Sequence, residues 1–209
     1  IETMGGVVSK LIHRNSTIPA SATETFTTAV DGQTNVLIHV VQGERELVKD
    51  CRSLARFDLK GIDPVPAGMA RIEVRFLIDA NGILNVTARD VRTGKEHSVD
   101  VKPSYGLTDD QVEAMILESF NKAEEDLRQR QVREAQVEAD AVLAAVEKAR
   151  KEDSYFELSD EERSEIDRAI NELLLVYHSD DHLLIRSKID QIDSATQKLA
   201  EMIVNHAVG

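Results

Sequence analysis

Residues 72–76 alternate between apolar and polar side chains, which is the period of a half-buried β-strand, and Ile78 continues the apolar face. The apolar face consists of Ile72, Val74, Phe76 and Ile78. The Asn81–Gly82 pair then favours a tight hairpin turn, because both residues tolerate positive φ. The return strand is expected over Ile83–Asp90, and a third strand over Glu96–Lys102 follows a turn at Arg92–Gly94. The pattern therefore predicts a three-stranded meander.

Two further strand-like runs lie upstream, at Glu24–Ala29 and Asn35–Val41. Asp31 and Gly32 between them supply turn chemistry, so we expect these runs to form a hairpin with a longer loop. Leu11–Ile12 and Leu54–Leu59 are weaker strand candidates. Short strands at a spacing of about ten residues, with turns between them, are typical of an antiparallel β-sandwich.

The pattern changes to a helical period after residue 107. Thr108 and Gln111 form a capping box, and apolar residues follow at three- and four-residue steps from Val112 to Leu127. Between Gln129 and Lys151 the stripe narrows to mostly alanine and valine. We therefore expect this stretch to be a long, exposed helical arm held partly by charge pairs four residues apart.

A second capping box at Ser159 and Glu162 predicts another helix, which ends at the polar run His178–Asp181. A last helix carries a broad apolar stripe between Leu184 and Ile203. The stripes of these two helices, with the end of the long arm, are expected to close a small antiparallel bundle.

Composition separates the same two halves. All four prolines and nine of the ten glycines lie at or before Gly106, and residues 107–208 contain neither. Because proline and glycine disfavour helix interiors, we predict an α+β chain with a β-sandwich over residues 1–106 and an α-helical subdomain over residues 107–209.

The net charge of −13 is also unevenly placed. Residues 1–105 carry 13 acidic and 13 basic side chains, so the second half supplies the whole surplus. This negative field argues against a nucleic-acid partner. The single cysteine, Cys51, and the absence of a long apolar stretch favour a cytoplasmic protein that is not in a membrane. Because the chain opens without Met, inside a strand-like segment, we expect a piece of a longer protein.

The candidate chemistry points away from catalysis. There is no nucleotide-binding glycine motif, no G-x-S-x-G elbow and no H-E-x-x-H helix. His178 and His182 have a spacing that zinc ligands use, but a helix–helix turn capped by Asp180 or Asp181 explains them better. Gly5–Gly6 is best explained as a sharp bend, and Cys51 as an incidental thiol. We therefore expect no catalytic residue and no metal site, and favour a module that binds an extended peptide.

Several motifs recur in order over residues 1 to about 107. They are Ile1–Val7, Asn15–Pro19, Ile38–Arg45, Phe57–Ile62, Ile78–Leu84 and Gly94–Glu96. With these motifs the first half resembles the peptide-binding domain of the DnaK-class heat-shock chaperones. The helical half resembles the lid of that class in layout, and more loosely in sequence.

The resemblance implies a peptide cleft on the sandwich. Residues that would line the cleft or bind the peptide backbone are Ile1, Thr3, Met4, Val7, Phe26, Thr27, Ala29, Gln33, Val36, Ile38 and Ile72. Met4 and Ala29 would arch over the bound chain. From the strand pattern alone, Phe26, Val36, Ile38 and Ile72 are better explained as core residues, and only the resemblance reverses that interpretation.

The resemblance also implies two charge latches between lid and sandwich, each of which has lost one partner here. Ala67 stands where the class has an arginine, opposite lid residue Asp140. Asp31 is retained, but Ala144 stands where the lid has a histidine. We therefore expect a lid held less tightly and a restricted set of clients.

This pattern, with Tyr105 and the end Val204–Val208, resembles the branch of the class devoted to iron–sulfur cluster assembly. The resemblance then implies that the client is the scaffold protein IscU, bound through a Leu-Pro-Pro-Val-Lys segment, and that the co-chaperone is the J-type protein HscB. ATP and Mg²⁺ would bind a nucleotide-binding domain outside this chain, which itself would hold no cofactor and show no ATPase activity. A general chaperone for unfolded hydrophobic peptides and a static oligomerisation module are the alternatives.

Overall fold

The fold is that of a computed structural model, which describes residues 1–101 and 107–208, with the side chains of residues 207 and 208 left out. The strands are β1 (Glu2–Thr3), β2 (Val7–Val8), β3 (Ala20–Phe26), β4 (Asn35–Gln42), β5 (Arg52–Lys60), β6 (Ile72–Ile78), β7 (Leu84–Asp90) and β8 (Glu96–Val101). The helices are α1 (Asp109–Asn121), α2 (Ala123–Ala149), α3 (Asp153–Phe156), α4 (Asp160–Val176) and α5 (His182–Val208). The α+β prediction is confirmed. Lys102, Tyr105 and the expected boundary at residue 106 lie outside the described residues.

Contacts divide the chain into two compact units, Ile1–Ala123 and Glu124–Gly209. In the first unit, β3, β6, β7 and β8 form one antiparallel sheet in the order β3-β6-β7-β8, and β4 pairs with β5. β1 and β2 form a short hairpin. The two sheets enclose one apolar core, built by the inward faces of β4 and β5 on one side and of β6 and β7 on the other.

The meander follows the predicted turns. Gly82 has a φ of 78° and donates its amide to the Asp79 carbonyl at 3.0 Å, and the Asp79 carboxylate accepts the amides of Asn81 and Ile83 at 2.8 and 2.9 Å. The Asn–Gly turn therefore fixes the register in which Ile78 faces Leu84.

Three strand expectations are wrong. β3 ends at Phe26 rather than at Ala29, and it pairs with β6 instead of forming a hairpin with β4. The connection of residues 27–34 is long enough to carry the chain from one sheet to the other. Leu11–Ile12 is not a strand, although both side chains pack against the sandwich core.

Both predicted capping boxes are present. Thr108 accepts the Gln111 amide at 3.3 Å and starts α1, and Ser159 accepts the Glu162 amide at 3.2 Å and starts α4. The single stripe predicted from Val112 to Leu127 is divided, because Lys122 leaves the helical conformation between α1 and α2.

The second unit is a bundle of α2, α4 and α5 with the short α3. Its core includes Ala135, Ala139 and Val146 of α2, together with Leu173 of α4 and Ile185 of α5. The expectation of an exposed arm is therefore wrong for this part of α2, because small side chains let the helices approach closely. No helix within the described residues is long and apolar enough to cross a membrane.

Candidate functional site

The β1–β2 hairpin and the residue before it carry four of the residues that the resemblance assigns to peptide binding. Ile1 and Val7 are buried, whereas Met4 is 55% exposed at the tip. Gly5 has a φ of 79°, which lets the chain reverse within three residues, and the Thr3 hydroxyl donates to the Val7 carbonyl at 3.0 Å. The hairpin therefore presents one long, flexible apolar side chain to solvent on a tightly turned backbone.

The apolar candidates on the other strands gather in a single cluster. Ile38 and Ile72 are buried in the sandwich core together with Ile1. Phe26 and Val36 are partly buried and pack against that cluster, and Phe26 lies opposite Ile72 in the β3–β6 pair. Phe26 and Val36 are thus the members of this group with apolar surface still available to a ligand.

The connection between β3 and β4 holds the three remaining candidates. Thr27 and Ala29 are exposed. The Gln33 side chain accepts the Ala29 amide at 2.9 Å and donates to the Asn35 carbonyl at 2.7 Å. A peptide carbonyl that bonds the Ala29 amide would therefore replace the side-chain oxygen of Gln33.

The two latch positions of the sandwich lie on neighbouring loops. The Asp31 carboxylate accepts the Ala67 amide at 2.8 Å, and Gly32 donates to the Val65 carbonyl at 2.9 Å. These bonds join the loop of residues 27–34 to the loop of residues 61–70. The side chain that replaces arginine at position 67 thus lies on a backbone that is already anchored to Asp31.

The two latch positions of the helical unit lie on α2. Asp140 accepts a hydrogen bond from the Tyr177 hydroxyl at 2.9 Å, and Ala144 is exposed. Burial raises the pKa of Tyr177, and the bond to Asp140 raises it further. Within the bundle, Asp140 therefore acts as a partner of Tyr177.

One polar cluster was missed by the sequence reasoning. His39 is buried between Ile38 and Val40 of β4, and its Nδ1 lies 2.5 Å from the Glu2 carboxylate of β1. Its Nε2 lies 2.9 Å from the Ser53 hydroxyl of β5. A histidine in the middle of an apolar strand was the available signal, because a buried imidazole needs polar partners.

An apolar cavity of about 370 Å³ was also missed. It lies between the sandwich and α1, and its lining includes Leu11, Ile12, Leu54, Met115 and Ile116. Leu11 and Ile12 line this cavity with apolar side chains. Their apolar character therefore reflects burial rather than a strand.

Arg45 ties α1 to the sandwich. Its guanidinium donates to the Glu118 carboxylate at 2.8 Å and lies 3.7 Å from the Asp50 carboxylate. The first helix is thereby held at the loop between β4 and β5.

The structure also describes the other two candidates from the sequence, the turn that contains His178 and the thiol of Cys51. Asp181 accepts the amides of Leu183 and Leu184 at 3.0 and 3.2 Å, so it caps α5, as expected for the turn containing His178. Burial raises the pKa of the Cys51 thiol, which disfavours the reactive thiolate. Within residues 1–101 and 107–208, no group of three or more His, Cys, Asp or Glu could hold a metal ion.

Comparison with known proteins extends the resemblance to heat-shock chaperones along the whole chain. The profile of the Hsp70 protein family matches residues 1–205. The Chaperone protein HscA homolog of Azoarcus sp. (strain BH72) is 50% identical over 208 residues, covering 100% of this chain and 33% of that protein.

Two further relatives agree. The Chaperone protein HscA homolog of Herminiimonas arsenicoxydans is 47% identical over 208 residues, covering 100% of this chain and 33% of the relative. The Chaperone protein HscA of Photorhabdus laumondii is 49% identical over 200 residues, covering 96% of this chain and 32% of the relative. The chain thus spans about a third of the length of the curated relatives it matches.

Proposed function

The chain belongs to the Hsp70 family, and from that premise we propose that it is the substrate-binding part of an ATP-regulated chaperone of the HscA type. Its β-sandwich holds an extended segment of a client protein. The observation that carries this proposal is the similarity to chaperones named HscA across the whole chain, which includes every candidate binding residue.

The geometry around the β1–β2 hairpin is suited to that task. An extended peptide between the hairpin and the loop of residues 27–34 meets free apolar surface on Met4, Phe26 and Val36. Backbone groups near Thr3, Thr27 and Ala29 then bond its main chain. Backbone bonds give affinity without reading sequence, and the apolar surface gains about 25 cal/mol per Å² buried.

The finer part of the proposal concerns the client. The chain serves iron–sulfur cluster assembly in the cytoplasm, binds the scaffold IscU through its Leu-Pro-Pro-Val-Lys segment, and acts with the co-chaperone HscB through the full-length protein. The alanines at positions 67 and 144 support a restricted client set, because each removes one partner of a charge latch that the general chaperones have.

ATP and Mg²⁺ belong, in this proposal, to the nucleotide-binding domain of the full-length protein. The chain itself binds peptide and turns over no nucleotide. A colorimetric phosphate assay on the purified chain should therefore give no release above buffer, and reproducible turnover that follows the protein through gel filtration would contradict the assignment.

Fluorescence anisotropy with two labelled peptides tests the client. One peptide contains Leu-Pro-Pro-Val-Lys, and the other is a Leu-rich generic chaperone substrate. Phe26→Glu should abolish binding, because it places a carboxylate on the apolar surface that meets the peptide. Leu37→Glu is the control, since Leu37 is an exposed apolar residue on β4, in the other sheet of the sandwich, and a carboxylate introduced there remains in solvent.

Each outcome points to one function. Preference for the Leu-Pro-Pro-Val-Lys peptide, lost in Phe26→Glu and kept in Leu37→Glu, supports the iron–sulfur chaperone. Equal binding of both peptides supports the general chaperone. Binding of neither, with a molar mass that rises with concentration in light scattering, supports the oligomerisation module.

A further inference from the structure

The side chains of Glu2, His39 and Ser53 form a hydrogen-bonded chain across three strands. The imidazole of His39 on β4 is at the centre, and the residue is only 2% exposed. Nδ1 lies 2.5 Å from Oε2 of Glu2 on β1, and Nε2 lies 2.9 Å from Oγ of Ser53 on β5. The chain joins the β1–β2 hairpin to the β4–β5 pair.

The donor and acceptor roles follow from the chemistry of the three groups. An ionised carboxylate only accepts hydrogen bonds, so Nδ1 of His39 carries a hydrogen. In the neutral ring Nε2 then accepts from the Ser53 hydroxyl, which fixes a single tautomer and a single ring orientation. Because one partner is charged, the bond from Nδ1 to Glu2 is stronger than a bond between neutral groups.

Glu2, which accepts the hydrogen bond from His39, lies inside the proposed peptide site. Glu2 stands between Ile1 and Thr3, and Met4 follows at the tip of the hairpin. β1 and β2 have only two residues each, and an isolated two-stranded hairpin is marginally stable in water. A hairpin this short needs anchors to keep the cleft residues in place, and the bond from His39 to Glu2 is one such anchor.

We propose that His39 is a positioning residue for peptide recognition, which acts through Glu2 to hold the β1–β2 hairpin in the arrangement that retains bound peptide, with Ser53 fixing the ring. This inference rests on the proposed function, because it assigns a role in the same peptide site. The carboxylate, imidazole and hydroxyl stand in the order used by serine hydrolases. Here the imidazole is enclosed within the sandwich, so it positions a strand and touches no substrate.

The test measures peptide dissociation by stopped-flow displacement of the labelled Leu-Pro-Pro-Val-Lys peptide from the 209-residue chain. Glu2→Ala removes the acceptor and should raise the dissociation rate about tenfold, the factor that corresponds to about 1.4 kcal/mol. Glu2→Gln keeps an oxygen that accepts from Nδ1 but loses the charge, and it should bring the rate to within about threefold of the unchanged chain. Ser53→Ala should give an intermediate increase.

The chain offers matched controls, since β8 carries the same three residue types in the exposed side chains of Glu96, His97 and Ser98. Glu96→Ala, His97→Gln and Ser98→Ala should leave the dissociation rate unchanged. A ¹⁵N spectrum of the imidazoles supplies a readout that a purely structural role would not move. It should show one His39 tautomer in the unchanged chain and in Glu2→Gln, and a mixture in Glu2→Ala.

The inference is overturned if the Glu2→Ala and Ser53→Ala chains release peptide at the original rate. It is also overturned if Glu2→Gln releases peptide as fast as Glu2→Ala, because the hydrogen bond would then not be the cause. Failure of the unchanged chain to bind the peptide would instead reject the proposed function, whichever way the variants behave. The test substitutes only Glu2 and Ser53, which are more exposed than His39, so it does not depend on the folding of a variant at the buried histidine.

Discussion

Met4 offers a sharp test of the proposed cleft, because its side chain is free in the unliganded protein and covered in the proposed complex. The side chain is 55% exposed at the tip of the β1–β2 hairpin. Full burial of a methionine is worth about 1.5–3 kcal/mol, so covering 55% of it is worth about 0.8–1.7 kcal/mol. Met4→Ala should therefore raise the peptide Kd about four- to eighteenfold.

The same substitution should hardly change thermal stability, because a solvent-exposed side chain contributes little to folding. Met69→Ala is the matched control, since Met69 is 65% exposed in the loop of residues 61–70 and is not assigned to the cleft. Anisotropy titrations of both variants with the Leu-Pro-Pro-Val-Lys peptide decide the matter. An unchanged Kd for Met4→Ala, or equal weakening by Met69→Ala, would refute the role of Met4 as an arch over the peptide.

Three other predictions concern stability and reactivity. Leu173→Ala removes a side chain that is 0% exposed in the bundle and should lower the free energy of unfolding by about 2–5 kcal/mol in thermal or urea unfolding. Leu175→Ala, at an 86% exposed position two residues on, should change it by no more than about 0.5 kcal/mol. Equal effects of the two substitutions would contradict the bundle core. The hydrogen bond from Lys188 holds the pKa of Glu172 below its ordinary value of 4.5, so the pair stabilises the bundle above that pH and its contribution is lost as pH falls through the lowered pKa. Lys188→Met should bring the Glu172 titration back to its ordinary range in ¹³C NMR, and an unmoved titration would show that the lysine is not the cause. Because burial raises the pKa of Cys51, iodoacetamide should alkylate it more slowly at pH 8 in the folded than in the urea-unfolded chain, and equal rates would contradict the burial.

The elements that sequence predicted well are those fixed by local chemistry. Thr108 and Ser159 begin helices because their hydroxyls accept amides three residues on, and Gly82 turns the meander because it has no Cβ. Each of these signals lies within four residues of sequence, so a single sequence is enough to recognise it.

The errors arose where distant parts of the chain decide the structure. Phe26 faces Ile72 across 46 positions of sequence, so local turn chemistry wrongly joined β3 to β4. The narrow alanine and valine stripe of α2 indicated an exposed helix, but in the structure its small side chains pack closely against α4 and α5. Amphipathic periodicity measures the width of a stripe, and it does not show how closely a neighbouring helix can approach.

The candidate site shows the same division. The resemblance assigned the residues of the hairpin and of the loop of residues 27–34, and the structure places Ile1, Phe26, Val36, Ile38 and Ile72 in one cluster. The bond between Glu2 and His39 spans 37 positions. Periodicity sorts side chains only into apolar and polar faces, so it could not identify the polar partners of a buried imidazole.

Methyl NMR of the chain with the Leu-Pro-Pro-Val-Lys peptide tests the central claim most directly. Selectively labelled Ile, Val and Met methyl groups report on the sandwich and on the bundle in one spectrum. We predict that saturating peptide shifts the methyl signals of Met4, Val36 and Ile38 and leaves those of Ile185 and Ile192 in the bundle core unchanged. Shifts confined to the bundle methyl groups, or no shift at saturation, would contradict peptide binding on the sandwich.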